Sequence, residues 1–216
     1  MKSIVNESLM NKDYHLTEMI VKGKPARIYD NCLPLNVFKQ MQNTLLGAEF
    51  SWHWCDDILT YGIDDKPLVE GYDKDDIGQF SHEFYSCEDK MGWPSTTEVL
   101  TPILNIINPR AWMRVKANLG PRNSKHMVGG WHCDKHWEFE DGTRKPYPDI
   151  ITAIFYLNTN NGYTMLETGD KIESVENRFV LFFNDILHTG MSQTDTKVRV
   201  VINFSFLPGY GPREIV

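Results

Sequence analysis

The chain has 216 residues, a formal net charge of −7, 41% hydrophobic and 24% charged residues. That is long enough for one substantial core and ordinary in composition for a globular protein. An acidic chain without a Lys/Arg run argues against general nucleic-acid binding, which rests on phosphate neutralisation, and no stretch approaches the ~18 uninterrupted apolar residues of a membrane span.

The segment from Met1 to Glu18 is polar and lacks an apolar run, so no secretory signal is expected. Cys32, Cys55, Cys87 and Cys133 are scattered and form no Cys-x-x-Cys pair, which points to reduced thiols in a cytoplasm and away from structural zinc. From Glu49 to Lys90 there are twelve acids and three bases, a net of −9, so the remainder is near +2. This block reads as a solvated, loop-rich surface; the functional alternative is a rim that selects a cationic or neutral substrate.

Residues 1–30 alternate weakly, with a short strand over 26–29. Pro34 suits a first helical turn, and Leu35, Phe38, Met41 and Leu45 recur at helical spacing, which predicts an amphipathic helix over 34–48. Residues 50–54 alternate as a strand, and His53 within them reads as a surface or hydrogen-bonded histidine. The Asp- and Gly-rich stretch 56–78 reads as loop, and Phe80, His82 and Phe84 mark a further strand. Ser95-x-x-Glu98 is a capping-box pattern that predicts a helix over 96–108. Pro102 opposes this, unless the helix starts at Thr101 with Pro102 in its first turn.

From Trp112 the period changes to two. Segments 112–119, 130–134, 150–157, 163–167, 171–176, 179–183, 186–191 and 198–206 are short, rich in Val, Ile, Phe and Tyr, and separated by turn residues. Eight such strands predict a sandwich or barrel, a mainly β fold with the N-terminal helices flanking it. The chain reads as one compact domain, with 1–111 an extension packed on a core of 112–216.

Within this β region His132-x-Asp134 is answered 54 residues past Asp134 by His188, and 11 residues later by Arg199. Two imidazoles and one carboxylate are the ligands of a facial triad that leaves open positions on ferrous iron. In an extended strand residues i and i+2 share a side, so His132 and Asp134 could grip one ion, with His188 brought by another strand. By parity Cys133 points away. In 198–206, Val200, Ile202, Phe204 and Phe206 form one face and Arg199, Val201, Asn203 and Ser205 the other. A lone Arg on a small, mildly polar face is costly unless neutralised. The neutralising group is a bound dicarboxylate or, as an alternative, an ordinary Glu or Asp partner. Lys197, of the same parity, is a reserve cation.

His136, four residues after His132, lacks the Glu of a His-Glu-x-x-His zinc motif and reads as a loop residue. His126 reads as a surface histidine. The segment 135–149 is long for a hairpin loop and is either a lid over the site or a surface insertion. Arg114 shares parity with Asn118 and could face a substrate.

Taken together, His132-x-Asp134, the strand Ile151-Thr152-Ala153-Ile154-Phe155-Tyr156-Leu157-Asn158, the turn into Gly162-Tyr163-Thr164, the run 177–183, His188 and Arg199 resemble the Fe(II)/2-oxoglutarate dioxygenase superfamily in its prolyl-4-hydroxylase-like branch. The chain is also similar to small oxygenases of marine bacteriophages, which would place it in a host cytoplasm. The resemblance implies a double-stranded β-helix (jelly roll) with iron at its open end. It implies His132, Asp134 and His188 as ligands of Fe(II). It further implies Arg199 on the distal carboxylate of 2-oxoglutarate, Tyr156 sharing that carboxylate, and Thr152 and Asn118 beside the cosubstrate. The implied reaction uses O2 and 2-oxoglutarate to hydroxylate an unactivated C–H bond. The substrate is expected to be a prolyl residue of a peptide or protein, or else a free amino acid or small metabolite. A non-catalytic cupin-like metal- or ligand-binding module would share the fold.

Overall fold

The computed structural model describes residues 4–56, 78–90 and 92–209. Most of the predicted acidic loop 56–78 lies outside them. The order of elements is β1 (His15–Val21), β2 (Lys24–Asp30), α1 (Leu35–Leu45), β3 (His53–Cys55), β4 (Gln79–Ser86), a 3-10 turn (Ser95–Leu100), α2 (Thr101–Ile106) and β5 (Pro109–Pro121). There follow β6 (His136–Glu138), β7 (Arg144–Pro146), β8 (Ile151–Tyr156), β9 (Tyr163–Leu166), β10 (Lys171–Glu173), β11 (Arg178–Phe183), β12 (His188–Met191) and β13 (Val198–Pro208).

The major sheet is antiparallel, in the order β1-β2-β11-β8-β13-β5-β4-β3. Facing it is a small sheet, β10-β9-β12, extended past β12 by single bridges from Val128 to Met191 and from His132 to His188. This two-sheet arrangement is the jelly roll. Strand β8 lies at the centre of the major sheet, and all six of its residues are buried. A continuous apolar run is what a strand covered on both faces requires.

Four strands of the major sheet come from residues before 112, two at each edge. The alternation of residues 15–21 was too weak to show β1, because that strand is largely exposed at the sheet edge. The turn between β10 and β11 is tied to the chain entering α1. Asn177 has φ +61°, a conformation its short polar side chain tolerates. Its amide accepts from Leu33 N (2.9 Å) and donates to Leu33 O (2.8 Å). Beside it Arg178 holds Asp30 through two parallel bonds of 2.6 and 3.0 Å.

Helix α1 buries Phe38, Met41 and Leu45 on the sheet, with the Phe38 ring edge-on to Phe155. Leu35, expected in the same stripe, is 66% exposed because it opens the helix beyond the sheet. The predicted capping box does not form. Pro94 precedes a 3-10 turn beginning at Ser95, with no side-chain cap, and the α-helix starts at Thr101 with Pro102 in its first turn. Proline's missing N–H is harmless there.

Candidate active site

The two histidines are brought together by backbone pairing. His132 N donates to His188 O (3.0 Å) and His188 N to His132 O (2.9 Å). Residues directly opposite in this way send their side chains to the same side, and the two rings lie 4.4 Å apart. The predicted strand 130–134 is only this one bridge, and Asp134 sits in a bend. The carboxylate still reaches the histidines: potential ligand atoms of His132, Asp134 and His188 all lie within 4.8 Å of one another. His188 Nε2 is 4.0 Å from Asp134 Oδ1, too far for a hydrogen bond.

Four features make this cluster fit a metal ion. Burial pushes the His188 imidazole down to about 4, with His132 adding to the effect and Asp134 opposing it, so it is neutral and able to ligate. Burial works against ionising Asp134, but His188, His132 and Arg114 outweigh it and hold the carboxyl below its ordinary value. Asp134 Oδ2 is nevertheless buried with no hydrogen-bond partner, a costly state unless a cation reaches it. In addition, His132 Nδ1 is 2.9 Å from Gly130 O, which fixes the tautomer and leaves Nε2 free.

The cluster opens into a cavity of about 350 Å³ between the sheets. The parity read from the sequence holds on β13: Arg199, Val201, Asn203 and Ser205 line the cavity, while Val200, Ile202, Phe204 and Phe206 are buried behind. Arg199 Nε donates to Ser174 Oγ (2.9 Å), and a terminal nitrogen lies 3.4 Å from Thr164 Oγ1. Among the described residues no carboxylate pairs with it, and burial lowers its pKa. The alternative of a Glu or Asp partner is therefore not realised among these residues.

The remaining expected residues separate. Asn118 lines the cavity with its Oδ1 buried and unpaired. Tyr156 stands behind the wall. Its hydroxyl donates to Thr164 Oγ1 at 2.7 Å, and its ring lies 5.8 Å below the Arg199 guanidinium carbon. It supports the arginine and the threonine rather than the cavity itself. Thr152 is wholly buried, 3.4 Å from Asn184 Oδ1 and close enough to Asp134 to favour its ionised form, so it sits under the His-Asp-His cluster and not beside the far end of the cavity. Lys197 is exposed, its strand not yet having entered the cavity wall.

His126 is exposed, with Nδ1 at 2.7 Å from Ser192 O. Cys133 turns away from the cluster toward Lys135 O, and burial pushes its thiol up to about 12. The segment 135–149 is a hairpin of β6 and β7 in which Trp137 packs on Tyr147. None of its residues forms the cavity wall.

Two contributors were not found from sequence. Asn184 is wholly buried. Its amide donates to Lys135 O (2.6 Å) and Tyr147 O (3.1 Å), and its Oδ1 accepts from Lys135 N (3.0 Å). It fastens the bend carrying Asp134 to the end of β11. Lys116 faces the cavity from β5. Its signal in the sequence is strand parity, since Lys116 falls between Arg114 and Asn118 on the same face.

No protein-family model matches the chain, and no curated protein matches it. Solved structures do. A prolyl hydroxylase of Trichoplax adhaerens, in complex with a peptide fragment of the hypoxia-inducible factor oxygen degradation domain, aligns at TM-score 0.50 and 14% identity over 84% of this chain and 83% of that one. SnoK, a non-haem α-ketoglutarate-dependent carbocyclase of nogalamycin biosynthesis, aligns at TM-score 0.50 and 12% identity over 86% and 80%. The fold is that of the Fe(II)/2-oxoglutarate-dependent oxygenases. A prolyl-4-hydroxylase of Pseudomonas putida aligns over 91% and 94% at TM-score 0.45 and 12% identity. Among the described residues no helix is long and apolar enough to cross a membrane.

Proposed function

We propose that the chain is an Fe(II)- and 2-oxoglutarate-dependent oxygenase that hydroxylates an unactivated C–H bond. The observation that carries this is a His-Asp-His cluster, His188 buried and His132 and Asp134 partly so, sharing one cavity with an arginine that has no carboxylate partner among the described residues. His132, Asp134 and His188 would hold the iron, and Arg199 would take the distal carboxylate of 2-oxoglutarate with its guanidinium fork. Bound iron and cosubstrate supply O2 activation, coupled to conversion of 2-oxoglutarate to succinate and CO2.

The chain's own residues bind, orient and exclude water. Ser174 and Thr164 direct the Arg199 guanidinium, and Tyr156 backs both. Asn118, which lines the cavity, offers its amide Nδ2 as a donor to the cosubstrate. Gly130 O orients the His132 ring, and Asn184 and Thr152 steady Asp134 from below. Ile154 and Val201 give the cavity an apolar wall.

The resemblance of the motif favours a prolyl residue of a peptide as the substrate; the Trichoplax protein is described as a prolyl hydroxylase in complex with a peptide fragment. A second reading, a free amino acid or small metabolite, is favoured by the cations described below. The test is anaerobic visible absorption with Fe(II) and 2-oxoglutarate. A weak charge-transfer band is expected in the wild type and absent in His132→Ala. Absence of the band and of binding by either ligand would turn the fold to the non-catalytic binding role.

A further inference from the structure

Strand β5 sends Arg114, Lys116 and Asn118 into the cavity, directly across the sheet from Ser205, Asn203 and Val201 of β13. Asn118 lies nearer Arg199 along this ladder, and Arg114 lies farthest from it. Arg114 is already neutralised: its Nε is 3.0 Å from Glu83 Oε1 on β4. Lys116 makes no hydrogen bond or ion pair with any described residue, although Glu83 is its cross-strand neighbour. Its register partner, Asn203, also faces the cavity; its amide Nδ2 is the donor an anion would use, and its Oδ1, an acceptor, is buried and unpaired.

Among the described residues the charges around the cluster leave one cation over. With a divalent ion and the 2-oxoglutarate dianion in place, the charges of Asp134, ion, dianion and Arg199 sum to zero. Arg114 and Glu83 cancel. Lys116 remains, in a wall where a lone charge is costly.

We infer that the prime substrate carries an anionic group, a carboxylate or a phosphate, seated on Lys116 with Asn203 and Arg114 beside it. The inference rests on the oxygenase reading and deepens it. Lys116 lies opposite Asn203, four residues along β13 from Arg199, so the anion sits away from the Arg199 end of the cavity. An internal residue of a peptide carries no backbone charge near its reacting carbon. A free amino acid or small organic acid does, and that chemistry is what the wall selects. Lys116 is a specificity-determining residue here, since removing it leaves the metal cluster and Arg199 intact. The acidic block 49–90, read as a solvated surface or as a rim for cationic or neutral substrates, has seven of its twelve acids outside the described residues; the described wall of the cavity carries Arg114, Lys116 and Arg199.

The test uses the full chain loaded with nickel(II), which binds without turnover, and reads melting temperature. The first step adds 2-oxoglutarate. A shift from both ligands supports the underlying reading, and its absence defeats that reading by itself. The second step adds, at millimolar concentration, each of a panel of free amino acids, small organic acids and phosphate monoesters. Each is matched by its uncharged amide or alcohol. At least one acid is expected to raise the melting temperature further while its neutral counterpart does not, and the sub-panel that responds separates carboxylate from phosphate.

Lys116→Met keeps the length of the side chain. It should weaken that acid by about tenfold or more, the effect of one charge-assisted hydrogen bond. The nickel and 2-oxoglutarate shifts, retained in the variant, show that it folds. The inference is overturned if neutral counterparts shift the protein as well as the acids, if no anion of the panel shifts it, or if Lys116→Met responds to the acid as the wild type does.

Discussion

Replacing Arg199 by Met separates a structural arginine from a ligand-binding one. In the absence of ligand the side chain makes one good hydrogen bond, to Ser174 Oγ at 2.9 Å, and one long one, to Thr164 Oγ1 at 3.4 Å. Those bonds offset only part of the desolvation of a guanidinium that no described carboxylate neutralises. The unliganded Arg199→Met protein should therefore melt at the wild-type temperature or slightly above it. Cosubstrate binding should behave oppositely. Two charge-assisted hydrogen bonds to a carboxylate contribute roughly 3–6 kcal/mol together, so the affinity for 2-oxoglutarate should fall by about a hundredfold to ten-thousandfold. Calorimetric titration of 2-oxoglutarate into the nickel(II)-loaded protein measures this directly. A dissociation constant within tenfold of wild type, or a large drop in melting temperature without ligand, would refute the reasoning and make Arg199 a structural residue.

Other perturbations test the rest of the site. Asp134→Asn keeps the shape of the cluster but removes its charge, and nickel(II) affinity should drop by about a hundredfold or more; equal affinity in equilibrium dialysis would show that Asp134 is not a ligand. The His188 imidazole, pushed down to about 4 from 6.5, favours the unliganded native state above pH 6.5. Stability should decline as pH falls from 6.5 toward 4, where the unfolded chain takes up the proton first. Denaturant titrations should show this slope in the wild type and its loss in His188→Gln. Asn184→Leu strands Lys135 N, Lys135 O and Tyr147 O in a buried place and should cost about 3 kcal/mol or more; a loss below about 1 kcal/mol in chemical denaturation would contradict its clamping role. At Gly162 an added Cβ would lie 2.7 Å from Met191 O and 2.9 Å from Arg199 Cδ. Gly162→Ala should thus destabilise by about 1–3 kcal/mol and weaken 2-oxoglutarate while leaving nickel(II) binding unchanged.

What the chain reveals by itself is local. Period two on β13 separates Arg199, Asn203 and Ser205 from the four buried residues between and beyond them, because adjacent side chains of a strand must take opposite faces. The same local logic located α1, the strands from Ile151 onward, and His132, Asp134 and His188 as one set of donors. The separate strand proposed for 130–134 was wrong in kind, since Asp134 reaches the cluster from a bend. Tertiary structure alone decided the rest. Only pairing across the molecule puts His132 opposite His188 and inserts the early strands at both edges of the major sheet. Register is set by contacts between residues far apart in sequence, and periodicity carries no record of which strands meet. For that reason Tyr156 and Thr152, though on the same strand face as Ile154, stand behind or beneath the cavity. Lys116, between Arg114 and Asn118 in the sequence, is left without a carboxylate partner among the described residues because Glu83 of the adjoining strand pairs with Arg114 instead.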